Sequence, residues 1–280
     1  MFDSLQLIER FDEARDGKRK CVYTAVFGGY DEVPSPTYKP EGWNFICFSD
    51  VEIVAPGWEV RVVDPGRGSP MLNNRHIKIL PYEYLREFDV SLYIDSNILI
   101  LGDVSLLYKN WLRGVSFAAW MHPDRSDVYE ECEAILLNLR HPTMEIIGQY
   151  AALKHQEAPK ESGLIEASML WRDLKCEKVK LLMEGWWEQL NEGKGRDQPY
   201  LGFLMERRRI RPKIFPSKLG TVKANQYFYK LQHKKSAISL YKALQKSHEY
   251  DGVEHDKVKK VREVNSGPEL HSYRETSRKG

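Results

Sequence analysis

The chain of 280 residues carries 42 Lys and Arg against 40 Asp and Glu, a net charge of +2 that conceals a division. Residues 207–280 hold 19 basic and 7 acidic side chains, whereas residues 1–206 hold 23 and 33, so an acidic body precedes a basic third suited to an anionic partner. With 29% charged and 11% aromatic residues the sequence is neither disordered nor low-complexity, and no apolar stretch approaches the ~20 residues that span a bilayer.

Residues 1–17 read as a short amphipathic helix with Leu5, Ile8 and Phe11 on one side, closed by Gly17. They include acids and no apolar h-region, so no signal peptide is expected there. The four cysteines are scattered, and Cys21 and Cys47 sit in apolar runs, as buried free thiols do. A reducing, cytoplasmic setting is expected.

Next come short β-branched and aromatic runs, each ending in turn chemistry. Residues 21–27 lead into Gly28-Gly29, residues 45–48 into Ser49-Asp50, and residues 58–63 into Asp64-Pro65-Gly66. Residues 73–88 have a helical pattern that Pro81 breaks or kinks. Residues 91–94 end at Asp95 and are followed by a run at 98–101. Strands alternating with helices predict an α/β sandwich around a largely parallel sheet.

Helices are predicted at 127–139 and 143–153, separated at His141-Pro142, and a strand at 163–171. Val179, Leu182, Trp186 and Leu190 recur at helical spacing, and Asp197 is placed to start the next helix. The run 213–215 is the last clear strand. Residues 236–247 read as a helix, and beyond about Gly252 the chain is charged and poor in large apolar groups, as mobile tails are. The expected domains are a helix at 1–17, an α/β body at 18–225, and a basic, partly helical extension at 226–280.

Ligands of open α/β sheets bind outside the carboxyl ends of the strands. That directs attention to Gly28, Gly29, Tyr30 and Asp31, to Asp50, and to Asp95-Ser96-Asn97. Acids alone cannot hold a diphosphate, so a divalent cation or nearby basic groups are needed; an Asp beside oxygen donors suits Mg²⁺ or Mn²⁺. Arg75 and Lys78, spaced i,i+3, share a helix face and can reach one anion. Each residue also has a plainer reading. The glycines suit a tight turn, Asp50 a strand end, Asp197 a helix cap, and Glu166 a bridge to Arg172. Arg207, Arg208, Arg209 and Arg211 suit either a solvated run or an anion site.

Five segments in order, YTAVFGGYDEVPSP (23–36), FICFSD (45–50), IKILPYEYL (77–85), SLYIDSNILI (91–100) and RDQPYLGFL (196–204), resemble the glycosyltransferase-like domain family of the plant TOD/MUCI proteins, which has bacterial members. The resemblance covers about residues 20–215. It implies a GT-A fold, a single Rossmann-like domain with helices flanking the sheet, that binds a nucleotide-sugar through a metal held by a D-x-D element.

Carried over by position, Thr24, Gly28, Gly29, Tyr30, Asp31, Asp50, Arg75, Lys78, Asp95 and Ser96 would face the donor. Asp95 and Asn97 would hold Mn²⁺ or Mg²⁺, with Asn97 a weaker ligand than the second Asp of the family pattern. Asp197, Glu166 and Gln198 would serve catalysis. Asp197 or Glu166 is the base of an inverting reaction, Asp197 slightly ahead because Gln198 accompanies it; in a retaining one Asp197 or Gln198 steadies the cationic sugar. His122 and Arg125, in MHPDR, and Trp187 are placed on the acceptor side. The acceptor would be a carbohydrate or a lipid-linked saccharide of surface polysaccharide or glycoconjugate assembly, and the basic third would meet an anionic inner membrane face. Two other readings stand beside it: a donor-binding scaffold without efficient chemistry, and a nucleic-acid binder. No nucleic acid is expected, because no RRM, KH or helix-turn-helix pattern accompanies the basic tail.

Overall fold

The structure, a computed structural model, describes residues 16–137, 143–159, 163–193 and 195–232. The helices expected at 1–17 and 236–247 and the charged tail lie outside the described residues, save for Asp16 and Gly17.

The strands are β1 (Lys20–Val26), β2 (Trp43–Ser49), β3 (Glu59–Val62), β4 (Val90–Ile94), β5 (Ile98–Ile100), β6 (Phe117–Met121), β7 (Ile165–Asp173), β8 (Lys213–Ile214) and β9 (Phe228–Lys230). The helices are α1 (Pro70–Ile79), α2 (Val104–Leu107, followed by a π-helical turn at Tyr108–Leu112), α3 (Val128–Leu137), α4 (Thr143–His155), α5 (Glu177–Gly193) and α6 (Asp197–Arg207). Seven strands form one sheet in the order β3-β2-β1-β4-β7-β6-β8, while β5 pairs separately with β9. Only β7 opposes the common direction. The fold is thus mixed α/β with a mostly parallel, Rossmann-like sheet flanked by helices.

β1 is apolar along almost its whole length because both of its faces are covered. Cys21, Tyr23, Ala25 and Phe27 join the core under α1, α5 and α6, with Ile77, Trp186 and Tyr200. Val22 and Val26 face a second core with Phe45, Leu92, Ile98 and Trp171. α1 begins where Ser69 caps it, its Oγ accepting from Leu72 N–H at 3.2 Å, and Pro70 occupies the first turn, where a missing N–H costs nothing. It ends at Ile79, before Pro81 opens a separate 3₁₀ turn at Pro81–Glu83. α5 buries Val179, Leu182, Trp186 and Leu190, the residues of its helical spacing.

The order of the strands fixes where a ligand can sit. From β1 the chain moves outward to β2 and β3, then returns to β1's other side as β4. The carboxyl ends of β1 and β4 therefore diverge around a crevice at the switch point. β7 runs the opposite way, so its first residues, Ile165 and Glu166, lie beside Trp120 and Met121 at the same end of the sheet. Two elements were not predicted from local pattern. FAAWM forms β6, and β9 adds Phe228, fully buried, to the second core, so the folded body continues past residue 225.

Candidate active site

At the first strand end, the Gly28 N–H donates to Asp50 Oδ2 at 2.8 Å, joining the turns after β1 and β2. Gly28 has φ +66°, and a Cβ there would stand 2.9 Å from Pro70 Cβ, so glycine is required by both backbone and space. Tyr30 is 62% exposed. Asp31 accepts from Ser96 Oγ at 3.0 Å, which ties this loop to the turn after β4. Thr24 is not among the crevice residues. It lies wholly buried in β1, opposite Cys47, because the central strand is covered on both faces.

Asp95 ends β4, half-buried, with its backbone N–H on Ser168 O at 2.8 Å and its Oδ1 accepting from the Tyr93 hydroxyl at 2.9 Å. Burial pushes its carboxyl pKa up; Lys78, Lys230 and the Tyr93 hydroxyl oppose this, and Glu166 adds to it. Asn97 has a different task from the one the resemblance assigns. Its side-chain Nδ2 donates to Leu231 O at 2.8 Å while its own carbonyl accepts from Leu231 N–H at 2.7 Å. The amide is buried as an anchor for the end of β9. Among the described residues no three His, Cys, Asp or Glu side chains gather as a metal set. With Asp95 the one carboxylate of the D-x-D place and two ammonium groups acting on it, the side chains do not fit a divalent ion held in the D-x-D manner.

Arg75 and Lys78 do share one face of α1, and that face meets the first residue of α6. Lys78 Nζ lies 2.9 Å from Asp197 Oδ2, and Arg75 Nε 3.7 Å from Asp197 Oδ1. The Trp186 indole N–H holds Asp197 O at 2.7 Å. Burial alone would raise the Asp197 pKa, but Lys78, Arg75 and Arg196 outweigh it and hold the carboxyl far below the usual range. Such a carboxylate is a counter-ion and a poor base. Arg75 is only 6% exposed, and its Nη1 has no hydrogen-bond partner among the described residues, which leaves a buried cationic donor beside Asp95 and Asp197.

Glu166, the second acid, is placed by a bulge. Register jumps between β6 and β7, so that Ala119 faces Leu170 while the next residue, Trp120, faces Glu166. Such irregularities re-aim side chains at strand ends. Gln198 Oε1 accepts from Ala167 N–H at 3.4 Å within this bulge. Glu166, its side chain 12% exposed, has Oε2 4.0 Å from His122 Nε2 and Oε1 3.8 Å from Lys230 Nζ. It makes no bridge with Arg172, which lies buried farther along β7 and donates to Lys78 O at 2.7 Å and to the Tyr23 hydroxyl.

His122 Nδ1 accepts from the backbone N–H groups of Asp124 and Arg125 at 3.1 and 3.0 Å, and the Arg125 guanidinium lies 2.8 Å from Nε2. Burial, then Arg125, lowers its pKa, against Glu166 and Glu131. Arg125 in turn is bonded to Glu131. Trp187 belongs to another group. Its ring meets His76 edge-on at 4.6 Å and lies under the Arg67 guanidinium, on the α1 side of α5. The arginine run has local partners: Arg207 donates to Gln156, Arg211 to Glu206, and Arg208 lies against Gly185.

The structure thus gathers Asp95, Glu166, Asp197, Gln198, Arg75 and Lys78 from four elements. It adds Tyr93 and Arg196, which lie within the resembling segments but have no role assigned there, and Lys230, for which the sequence offers no local signal. No protein-family model matches the chain, and no curated protein matches it. Among solved structures it is similar to that of apo WbbM, a bifunctional glycosyltransferase, with 11% identity and a TM-score of 0.42. The likeness covers 72% of this chain and 39% of that one, so the chain spans well under half of the length it is compared with.

Proposed function

We propose that the chain is a glycosyltransferase that binds a nucleotide-sugar between the carboxyl ends of β1 and β4 and transfers the sugar to a hydroxyl acceptor. The observation that carries this reading is the convergence of Asp95, Glu166 and the Arg75–Lys78–Asp197 cluster at the switch point of the sheet. A diphosphate needs fixed positive charge, and the buried Nη1 of Arg75, without a hydrogen-bond partner among the described residues, suits it. The ordered segments that resemble the TOD/MUCI domain family support the same reading.

In this scheme Glu166 takes the proton of the acceptor hydroxyl, since Asp197 is committed to two cations and Gln198 to the β7 bulge. His122 and Arg125 border the acceptor side through Glu166 and Glu131. The acceptor is a carbohydrate or lipid-linked saccharide of surface glycan assembly, and the basic charge of residues 207–280 suits an anionic membrane face. No helix among the described residues is long and apolar enough to cross a membrane.

The test is a thermal-shift panel of UDP-, GDP-, CMP- and dTDP-sugars and their nucleotides, followed by turnover with saccharide acceptors. A donor should raise the melting temperature and be consumed; neither effect across the panel overturns the reading. The commitment of Asp197 favours one second reading, a binder without efficient chemistry. Donor binding with neither transfer nor hydrolysis decides for it.

A further inference from the structure

We propose that Lys230 is the cation of this crevice, occupying the role that the resemblance gives to a metal, so that the donor diphosphate binds without a divalent ion. The inference rests on the glycosyltransferase reading and deepens it.

Three observations carry it. Lys230 Nζ stands 3.8 Å from Glu166 Oε1, beyond hydrogen-bond range, and acts electrostatically on Asp95. A loose pair of this kind can exchange its carboxylate for a phosphate oxygen at small cost, and the 27% exposure of the Lys230 side chain leaves the ammonium open to a ligand. Lys78, the other lysine acting on Asp95, is by contrast bonded to Asp197 at 2.9 Å and buried.

Second, the lysine is fixed in place rather than dangling from a basic tail. Lys230 pairs with Ile98 in the β5–β9 register and its N–H donates to Lys223 O at 2.9 Å. Third, the following residue, Leu231, is gripped by both the side chain and the carbonyl of Asn97. The position at which an acid would have completed a metal site therefore holds the strand that delivers the ammonium. An Asp at 97 would set a carboxylate oxygen against the Leu231 carbonyl, where an amide N–H now donates. Asn97 is a positioning residue, and Lys230 the group that meets the ligand.

In the transfer, the bond from the anomeric carbon to the diphosphate oxygen breaks and its electron pair leaves with the phosphate. The acceptor oxygen bonds to that carbon, and its proton passes to Glu166. Lys230 meets the charge that grows on the departing oxygen, as a preorganised cation should.

Calorimetric titration of the full chain with UDP, GDP, CDP, ADP and dTDP, in EDTA and in Mn²⁺, tests this. At least one diphosphate should bind in EDTA within about twofold of its Kd in Mn²⁺. Lys230→Ala and Lys230→Met should weaken that diphosphate about tenfold to a hundredfold, the worth of one charge-assisted hydrogen bond. Lys230→Arg should retain most of the affinity. The matching nucleoside, which has no phosphate, should bind all four proteins alike, a result that a merely structural role would not give. Asn97→Asp should weaken the diphosphate in EDTA and gain nothing from Mn²⁺. Binding that requires Mn²⁺, or an unchanged affinity in Lys230→Ala, overturns the proposal and leaves the glycosyltransferase reading standing. Failure of every diphosphate, with Mn²⁺ or without, overturns both.

Discussion

Lys78 and Asp197, 119 residues apart, form a buried ion pair of 2.9 Å that joins α1 to the first residue of α6. Arg75 lies on the same carboxylate at 3.7 Å, so Asp197 neutralises two cations that would otherwise be buried together. Removing one partner of a buried pair leaves an uncompensated charge, which costs about 3–5 kcal/mol. Asp197→Asn should therefore lower the unfolding free energy by that order in urea titrations of the full chain. A change within error would mean that the cluster is open to water.

The same pair predicts an acid dependence. Because the folded carboxyl is held below its unfolded value, its contribution is complete above about pH 4 and is lost as the pH falls further. Wild type should lose stability below pH 4 more steeply than Asp197→Asn. Parallel curves for the two proteins would contradict the assignment.

His76 predicts a second window at higher pH. Its ring lies between the Tyr84 hydroxyl, 2.7 Å from Nδ1, and the Arg67 guanidinium, 2.9 Å from Nε2, with Glu83 3.8 Å away. Burial, reinforced by Arg67, pushes its pKa down to about 4. The unfolded chain then binds a proton that the folded one refuses, so stability declines as pH falls from about 6.5 to 4, by at most ~1.4 kcal/mol per unit. His76→Gln should flatten that slope, with a residue left by His122, whose pKa is lowered as well.

Glu166 is expected to act in the chemical step. Glu166→Gln keeps shape and volume, so donor affinity and melting temperature should change little while kcat falls about 10²- to 10⁴-fold. An unaltered transfer rate would remove Glu166 from the role of base.

Gly28 and Gly29 separate two causes of glycine preference. Both have positive φ, +66° and +61°, but a Cβ meets Pro70 only at Gly28 and nothing within 4 Å at Gly29. Gly29→Ala should cost about 1–2 kcal/mol for the backbone alone. Gly28→Ala should cost more and should weaken donor binding, because the loop must shift from Asp50. Equal melting temperatures would show that Pro70 yields.

Much of this could be read from local pattern. The runs of β1, β2 and β4 end at Gly28, Asp50 and Asp95 because a covered strand must be apolar until it reaches the sheet edge. Pro81 ends α1 because it cannot continue the helix, and Asp197 opens α6 after the glycines that close α5. These signals act over a few residues, so the sequence by itself determined the α/β class and most of the acids at the strand ends. It did not reveal β6, whose FAAWM has no alternation, nor that Thr24 is sealed inside β1.

Which ends meet was decided only by the tertiary structure. The order of the sheet brings Lys78 to Asp197, the reversal of β7 brings Glu166 to Asp95, and the β5–β9 register brings Lys230 to Glu166. The same placement sets Trp187 against His76 and ties the Asn97 side chain to Leu231. The physical reason is one of range. Local periodicity records which face of an element is buried, whereas the charge environment of a carboxylate depends on neighbours a hundred residues away, supplied only once the strands have paired.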